Sequence, residues 1–204
     1  LRSRTTIQVG AEIFGDSSKQ AELESVNLML KSLEIAGIKN ITLSLGHAAF
    51  TSSVLEPFRK LGKEIFVDLE KALSKKSKSD LDKIIPDSYE NKQSLMSLCD
   101  LYGEIDIIQS AKESFSYLET TQSFMNDLEG LADKLTNKSG ITLHVDLGEV
   151  QGFKYHNGVV FSAYADSAGY VLAKGGRYDG LRKQSDHDRP AVGFDLDLVS
   201  VSNL

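Results

Sequence analysis

Apolar and polar side chains alternate every second residue at both ends of this chain and recur at helical spacing in between, a pattern that leaves few folds open to it. Thr6 to Phe14 sets Ile7, Val9, Ala11 and Ile13 against Gln8, Gly10, Glu12 and Phe14, the period of a half-buried strand. Ser17 followed by Gln20 makes a capping box, and Leu23, Val26, Leu30 and Leu33 form an apolar stripe on a helix reaching about Ala36. Gly37 ends it, and Ile41, Leu43 and Leu45 then alternate with Thr42 and Ser44 in a second strand that finishes at Gly46-His47. Further strands are expected at Ile141–Leu147, Gly158–Ala165, Gly169–Ala173 and Ala191–Leu198, with the gap at Ala165–Ala168 suited to an antiparallel hairpin. Strands at both ends with helices between them predict an α+β chain whose sheet is assembled across a helical insertion.

That insertion is expected over residues 51–139, within a single domain spanning residues 1–204. Lys75-Lys76-Ser77-Lys78-Ser79 reads as a solvated linker, the alternative being a phosphate-binding patch, and Ser79 or Asp80 is placed to cap a short helix that Pro86 closes. From Phe115 onward, Leu118, Gln122, Met125, Leu128, Ala132 and Leu135 step by three and four, as expected of a core-facing helix, the alternative being a coiled-coil seam.

Several functions are excluded or disfavoured by what the chain lacks. No apolar run approaches the roughly 18 residues of a membrane-spanning helix. The single cysteine, Cys99, permits no internal disulfide and no thiolate cluster, in keeping with a cytoplasmic protein, and its neighbours Leu95, Met96, Leu98 and Leu101 mark it as a buried hydrophobe. The formal net charge of −6 disfavours a nucleic-acid partner, whose binding is driven by counterion release from a basic face. His47, His144, His156 and His187 are scattered without ligand spacing, so no metal is expected. Gly-x-Gly-x-x-Gly and Gly-Lys-Ser/Thr loops are absent, and no cofactor is expected. The chain opens at Leu1 and stops at Leu204 within an apolar stretch, which suggests an excerpt of a longer protein.

Candidate binding residues fall in three places. Gln8 and Glu12 share one strand face, about 13 Å apart at ~3.3 Å per residue, with only Gly10 between them. An amide and a carboxylate flanking bare backbone suit an amine or imidazole N–H; equally, the two can lie on the solvent face of an edge strand with Gly10 at a bulge. Tyr155 and His156 precede the strand at Val159, and Tyr178 lies in Gly175-Gly176-Arg177-Tyr178-Asp179-Gly180, offering aromatic walls with polar tips. The alternative for the Gly-Gly segment is a turn and helix start held by an Arg177–Asp179 pair. Asp195 and Asp197 alternate on the last strand, available for acid/base or magnesium chemistry or as its outer face.

Taken in order, Arg2-Ser3-Arg4, Gln8-Val9-Gly10-Ala11-Glu12-Ile13-Phe14-Gly15, Tyr155-His156-Asn157-Gly158-Val159-Val160-Phe161, Gly175–Leu181 and Pro190-Ala191-Val192-Gly193-Phe194 resemble the catalytic core of histidyl-tRNA synthetase. The match is closer to its non-synthetase paralogue, the regulatory subunit of ATP phosphoribosyltransferase. The resemblance implies a class II aminoacyl-tRNA synthetase fold, a mostly antiparallel sheet flanked by helices with a histidine-sized pocket on its face. It implies that Gln8 holds the ligand's amino end and Glu12 its imidazole, that Tyr155, His156 and Tyr178 enclose the ring, and that Arg2 and Arg4 stand at phosphate-facing positions.

Two departures separate the relatives. Gln151 stands where the synthetase has an arginine that helps activate the histidine carboxylate, and Ser200 where it has an ATP-binding arginine. Cations at such positions stabilise the negative charge that builds on phosphate during adenylation, and neutral side chains do not substitute for them. The resemblance therefore implies a non-catalytic regulatory subunit for the first step of histidine biosynthesis, with histidine as effector and a separate short-form ATP phosphoribosyltransferase as catalytic partner. A homodimer within a hetero-oligomer, without tRNA and without a membrane, is the expected setting. A histidyl-tRNA synthetase or amino-acid-activating paralogue, and a purely structural assembly subunit, are the alternatives.

Overall fold

A computed structural model describes residues 7–150, 155–165, 168–180 and 189–204. In chain order these form β1 (Gln8–Phe14), α1 (Lys19–Ile35), β2 (Ile41–His47), α2 (Ala48–Arg59), α3 (Lys63–Ser74), α4 (Lys78–Ile84), α5 (Lys92–Ser97), β3 (Tyr102–Gly103), α6 (Ile107–Ser114), α7 (Thr121–Leu135), β4 (Ile141–Asp146), β5 (Val159–Ala165), β6 (Ala173–Arg177), β7 (Ala191–Asp197) and α8 (Leu198–Ser202). The seven strands make one sheet in the order β1-β7-β6-β5-β2-β4-β3. Every neighbouring pair is antiparallel except β2 and β4, which run parallel across the helices that separate them in sequence.

Register fixes what each face of the sheet carries, because directly paired residues point the same way. Val9, Leu196, Ala173, Ala163 and Leu43 belong to one face, which helices α1 and α7 cover except at the edge strand, where Val9 is exposed. The opposite face carries Gln8, Gly10, Glu12, Asp195, Gly193, Lys174, Gly176, Ser162 and Ser44. It is polar and partly exposed. The core lies between the sheet and the helices, with Met29, Leu33, Leu43, Leu45, Phe50 and Phe161 among its fully buried side chains.

The local signals mostly act one to a few residues from where the alternation places them. Ser18, not Ser17, caps α1 and accepts the Ala21 N–H at 3.3 Å. Ser77 caps α4, accepting from Asp80, ahead of the expected Ser79 or Asp80. The helix expected from Phe115 begins at Thr121, since Phe115 is itself the buried C-cap of α6. The Lys75–Ser79 segment is not simply solvated: Lys76 Nζ reaches Asp146 Oδ1 at 2.5 Å, tying the helical block to the end of β4.

The Gly-Gly segment, open to a turn-and-helix reading, is instead the middle of β6. A Cβ at Gly175 would stand 2.3 Å from the Gly193 carbonyl and 2.6 Å from the Phe161 ring, so the missing side chain is what allows three strands to pack there. The expected strand over Gly169–Ala173 accordingly lies further along, at Ala173–Arg177. The hairpin expected at Ala165–Ala168 falls partly outside the described residues.

Candidate functional site

One end of the polar face gathers three of the predicted residues. Glu12 on β1 and Tyr178, just past β6, flank β7 at Gly193, which pairs with Glu12 on one side and Gly176 on the other. A Cβ on Gly193 would come within 2.8 Å of Glu12 Cγ and 2.7 Å of the Ala11 carbonyl, so the carboxylate's stem lies directly over bare backbone. Gly176 does the same for His156, whose Cδ2 would sit 2.6 Å from an added Cβ. Two glycines thus form the floor and two titratable side chains lie on it.

Tyr178 stands between them. Its ring meets His156 edge-on at 6.3 Å between centroids and Phe14 edge-on at 6.5 Å. The hydroxyl is buried and lies beside the Glu12 carboxylate. Burial first, and then the neighbouring Glu12 carboxylate, push Tyr178 above the usual tyrosine range, so it is a neutral O–H at physiological pH. A buried phenol hydroxyl beside an exposed carboxylate is a donor–acceptor pair that a polar ligand can join.

The remaining predicted residues are placed differently. Gln8 is on the same face but two strand repeats from Glu12, and its amide donates to Asp195 Oδ1 at 2.8 Å. Gly10 between them is in regular register opposite Asp195, with no bulge, and β1 is an edge strand. Tyr155 neighbours His156 in the turn but is 67% exposed. Arg2, Arg4 and Gln151 lie outside the described residues. Asp197 is occupied as the N-cap of α8, accepting from the Val199 and Ser200 N–H groups and from the Ser200 hydroxyl at 2.8 Å. Among the described residues, no three His, Cys, Asp or Glu side chains converge on a site that can hold a metal. Cys99 is buried, and burial pushes its thiol up.

Residues behind the sheet complete the picture, and they carried little signal in the sequence. Arg177, adjacent to Tyr178, points to the helical face, is 5% exposed, and donates from Nε to Glu22 Oε1 at 2.6 Å. His47 ends β2 and caps α2, its Nδ1 accepting the Phe50 N–H at 3.3 Å while its ring lies 4.6 Å from Phe124. Burial, opposed by Asp127, pushes His47 down to about 4. The Arg177–Asp179 pair is the one part of this layer that spacing alone suggested, and it forms at 3.2 Å.

Comparison with known proteins gives a consistent result. The family model described as histidyl-tRNA synthetase matches residues 1–201. A protein of Polynucleobacter asymbioticus named ATP phosphoribosyltransferase regulatory subunit is 34% identical over 99% of this chain and 53% of its own length. A protein of the same name from Pseudomonas aeruginosa is 34% identical over 99% of this chain and 52% of its own length. The chain thus spans about half the length of the curated relatives it matches. Among solved structures, an ATP phosphoribosyltransferase regulatory subunit/histidyl-tRNA synthetase from Bacillus halodurans aligns with a TM-score of 0.80 at 26% identity, covering 96% of this chain and 52% of that one. A histidyl-tRNA synthetase from Nostoc shares the fold, with a TM-score of 0.74 at 17% identity over 97% of this chain and 50% of that one. So does the ATP phosphoribosyl transferase (HisG:HisZ) complex from Thermotoga maritima, with a TM-score of 0.71 at 17% identity over 95% of this chain and 66% of that one. The resemblance and the α+β fold read from the motifs both stand.

Proposed function

Because this chain belongs to the histidyl-tRNA synthetase family, we propose that it is part of a non-catalytic regulatory subunit of ATP phosphoribosyltransferase, one that binds histidine and relays activation and feedback inhibition to a separate catalytic subunit. The observation that carries the reading is the end of the polar face at Gly193 and Gly176, where Glu12, the buried Tyr178 hydroxyl and the His156 ring meet. Glu12 is suited to accept an imidazole N–H, Tyr178 to donate to or close over the same ring, and His156 to wall it. Gln8, one edge further along, is suited to the ligand's amino end through the carbonyl oxygen that its bond to Asp195 leaves available. Tyr155 joins the wall on ligand binding, and Arg2 and Arg4 remain candidates for a phosphate-facing role.

The regulatory reading is favoured over amino-acid activation by the residues at the synthetase's cationic positions. Ser200 is neutral and its hydroxyl is taken by Asp197; Gln151 is neutral as well. An adenylation transition state needs positive charge at such points, each worth several kcal/mol. The names of the 34% identical relatives support the same role. The partner is then a short-form ATP phosphoribosyltransferase catalytic subunit, and the assembly a homodimer within a hetero-oligomer, free of tRNA, in the cytoplasm. Regulation of this kind requires histidine to bind one state of the complex more tightly than another.

The second reading, a histidine-activating synthetase, is kept by the double name of the Bacillus halodurans structure. ATP–pyrophosphate exchange with the full-length protein separates the two. Histidine-dependent exchange above the protein-free background supports the synthetase, and none is expected. In the same preparation, addition of the full-length protein to the short-form catalytic subunit is expected to raise phosphoribosyl transfer, and an unchanged rate overturns the regulatory assignment.

A further inference from the structure

Arg177 ends β6 and Tyr178 follows it, and the two point to opposite faces of the sheet, the tyrosine into the proposed pocket against Phe14 and His156 and the arginine beneath it against Glu22. Beneath the sheet, all three guanidinium nitrogens are used. Nε donates to Glu22 Oε1 at 2.6 Å, one terminal nitrogen to the Asp16 carbonyl and Asp179 Oδ1, both at 3.2 Å, and the other to the Ser18 carbonyl at 3.1 Å. Asp16 and Ser18 lie in the connection that leaves β1, the strand of Glu12. One buried side chain therefore fastens the exit of the Glu12 strand to the end of β6, where Tyr178 follows, although β7 lies between them.

The turn is fixed from the other side as well. The Asn157 side-chain amide donates to the Asp179 carbonyl and accepts the Asp179 N–H, both at 2.9 Å, and the Asn157 main-chain N–H donates to the Arg177 carbonyl. Asp179 Oδ1 also accepts the Ala191 N–H, and Tyr178's own N–H donates to the Ala191 carbonyl. Asn157 follows His156, so this clamp holds both aromatic residues of the pocket. The Tyr178 N–H and both of its chain neighbours are tied down in this way, and its hydroxyl lies beside Glu12. A buried ion pair is rarely the most stable filling for a core position, since an apolar pair of similar volume often does as well; a planar fork that bonds four separate groups instead supplies fixed geometry.

We infer that the buried Glu22–Arg177 pair, with the Asn157–Asp179 clamp, is a positioning device that sets the Tyr178 ring against Glu12. Neither Glu22 nor Arg177 touches the ligand. The inference rests on the proposed histidine pocket for its ligand, but not for the placement of Tyr178, and the two are measured separately.

In full-length protein carrying ¹³C-labelled tyrosine, the Tyr178 ring resonances, assigned through Tyr178→Phe, are compared between wild type and Glu22→Gln without ligand. Calorimetry with histidine follows on both, on Tyr178→Phe and on the double variant. Glu22→Gln is expected to move the Tyr178 resonances and to weaken histidine binding about tenfold, the loss of one well-placed hydrogen bond. In the Tyr178→Phe background the same change is expected to weaken binding no further, because Glu22 acts through the tyrosine. Unmoved Tyr178 resonances, or losses that simply add, overturn the inference. Shifted resonances in a wild-type protein that binds no histidine leave the positioning role standing and remove the pocket. Should Glu22→Gln fail to fold, Asn157→Ser on the exposed turn is read the same way, and unmoved resonances there overturn the inference.

Discussion

At Gly193 the difference between a hydrogen atom and a methyl group decides whether Glu12 can lie where it does. An alanine Cβ there meets backbone at the Ala11 carbonyl as well as Glu12 Cγ, and a carbonyl inside a sheet cannot swing aside. Gly193→Ala is expected to cost about 1–3 kcal/mol, the usual range for overpacking. Melting of the full-length protein is the check, a lowered melting temperature being expected; an unchanged one shows that the sheet has slack at this point. The sequence disclosed that Gln8 and Glu12 share a face and that Gly10 separates them. It did not disclose that two further glycines, 176 and 193, are the floor, because which strands lie side by side is a property of the sheet order and not of spacing along the chain. Arg177 was legible only through its neighbour Asp179. Its partner Glu22 is 155 residues away and looked like any acidic residue in a helix's first turn.

Single elements show how side chains at their ends couple fold to solution conditions. His47 caps α2 with a neutral ring: Nδ1 accepts the Phe50 N–H, and the remaining N–H faces Asp127, with Lys19 beside that carboxylate. Its folded value of about 4 lies below the ordinary 6.5, so the unfolded chain binds more protons in between. Stability is therefore fully present above about pH 6.5 and lost as pH falls toward 4, by up to about 3 kcal/mol. Urea unfolding between pH 6.5 and 4.5 is expected to show this slope, and His47→Asn, which keeps a capping acceptor, to flatten it. An equal slope in both proteins assigns the effect to other groups. Element type was readable from periodicity, while starts and ends were not. Ser17 and Ser18 are chemically equivalent caps, and only the path of the chain out of β1 selects the second.

For the molecule as a whole, the helical block is anchored at a point the sequence disguised. Lys76 looks like one of several solvated cations, yet its backbone turns left-handed at φ 52° and its ammonium docks on Asp146 at the end of β4. Asp146 also accepts the Gly148 N–H. Lys76→Met is expected to raise amide exchange in α3 and α4 while leaving β5, β6 and β7 protected; uniform protection shows that the block is held by its apolar contacts alone. The antiparallel body of the sheet followed from alternation at the two chain ends. The parallel pairing of β2 with β4 did not, since it joins strands separated by the entire block.

These scales meet in one claim, that the glycine-floored end of the polar face receives an imidazole. Isothermal titration of histidine into the full-length protein and its Glu12→Ala variant tests it most directly. Saturable binding to the wild type, weakened at least about tenfold in the variant, is the predicted result; a wild type that takes up no histidine, or a variant that binds it equally well, contradicts the account.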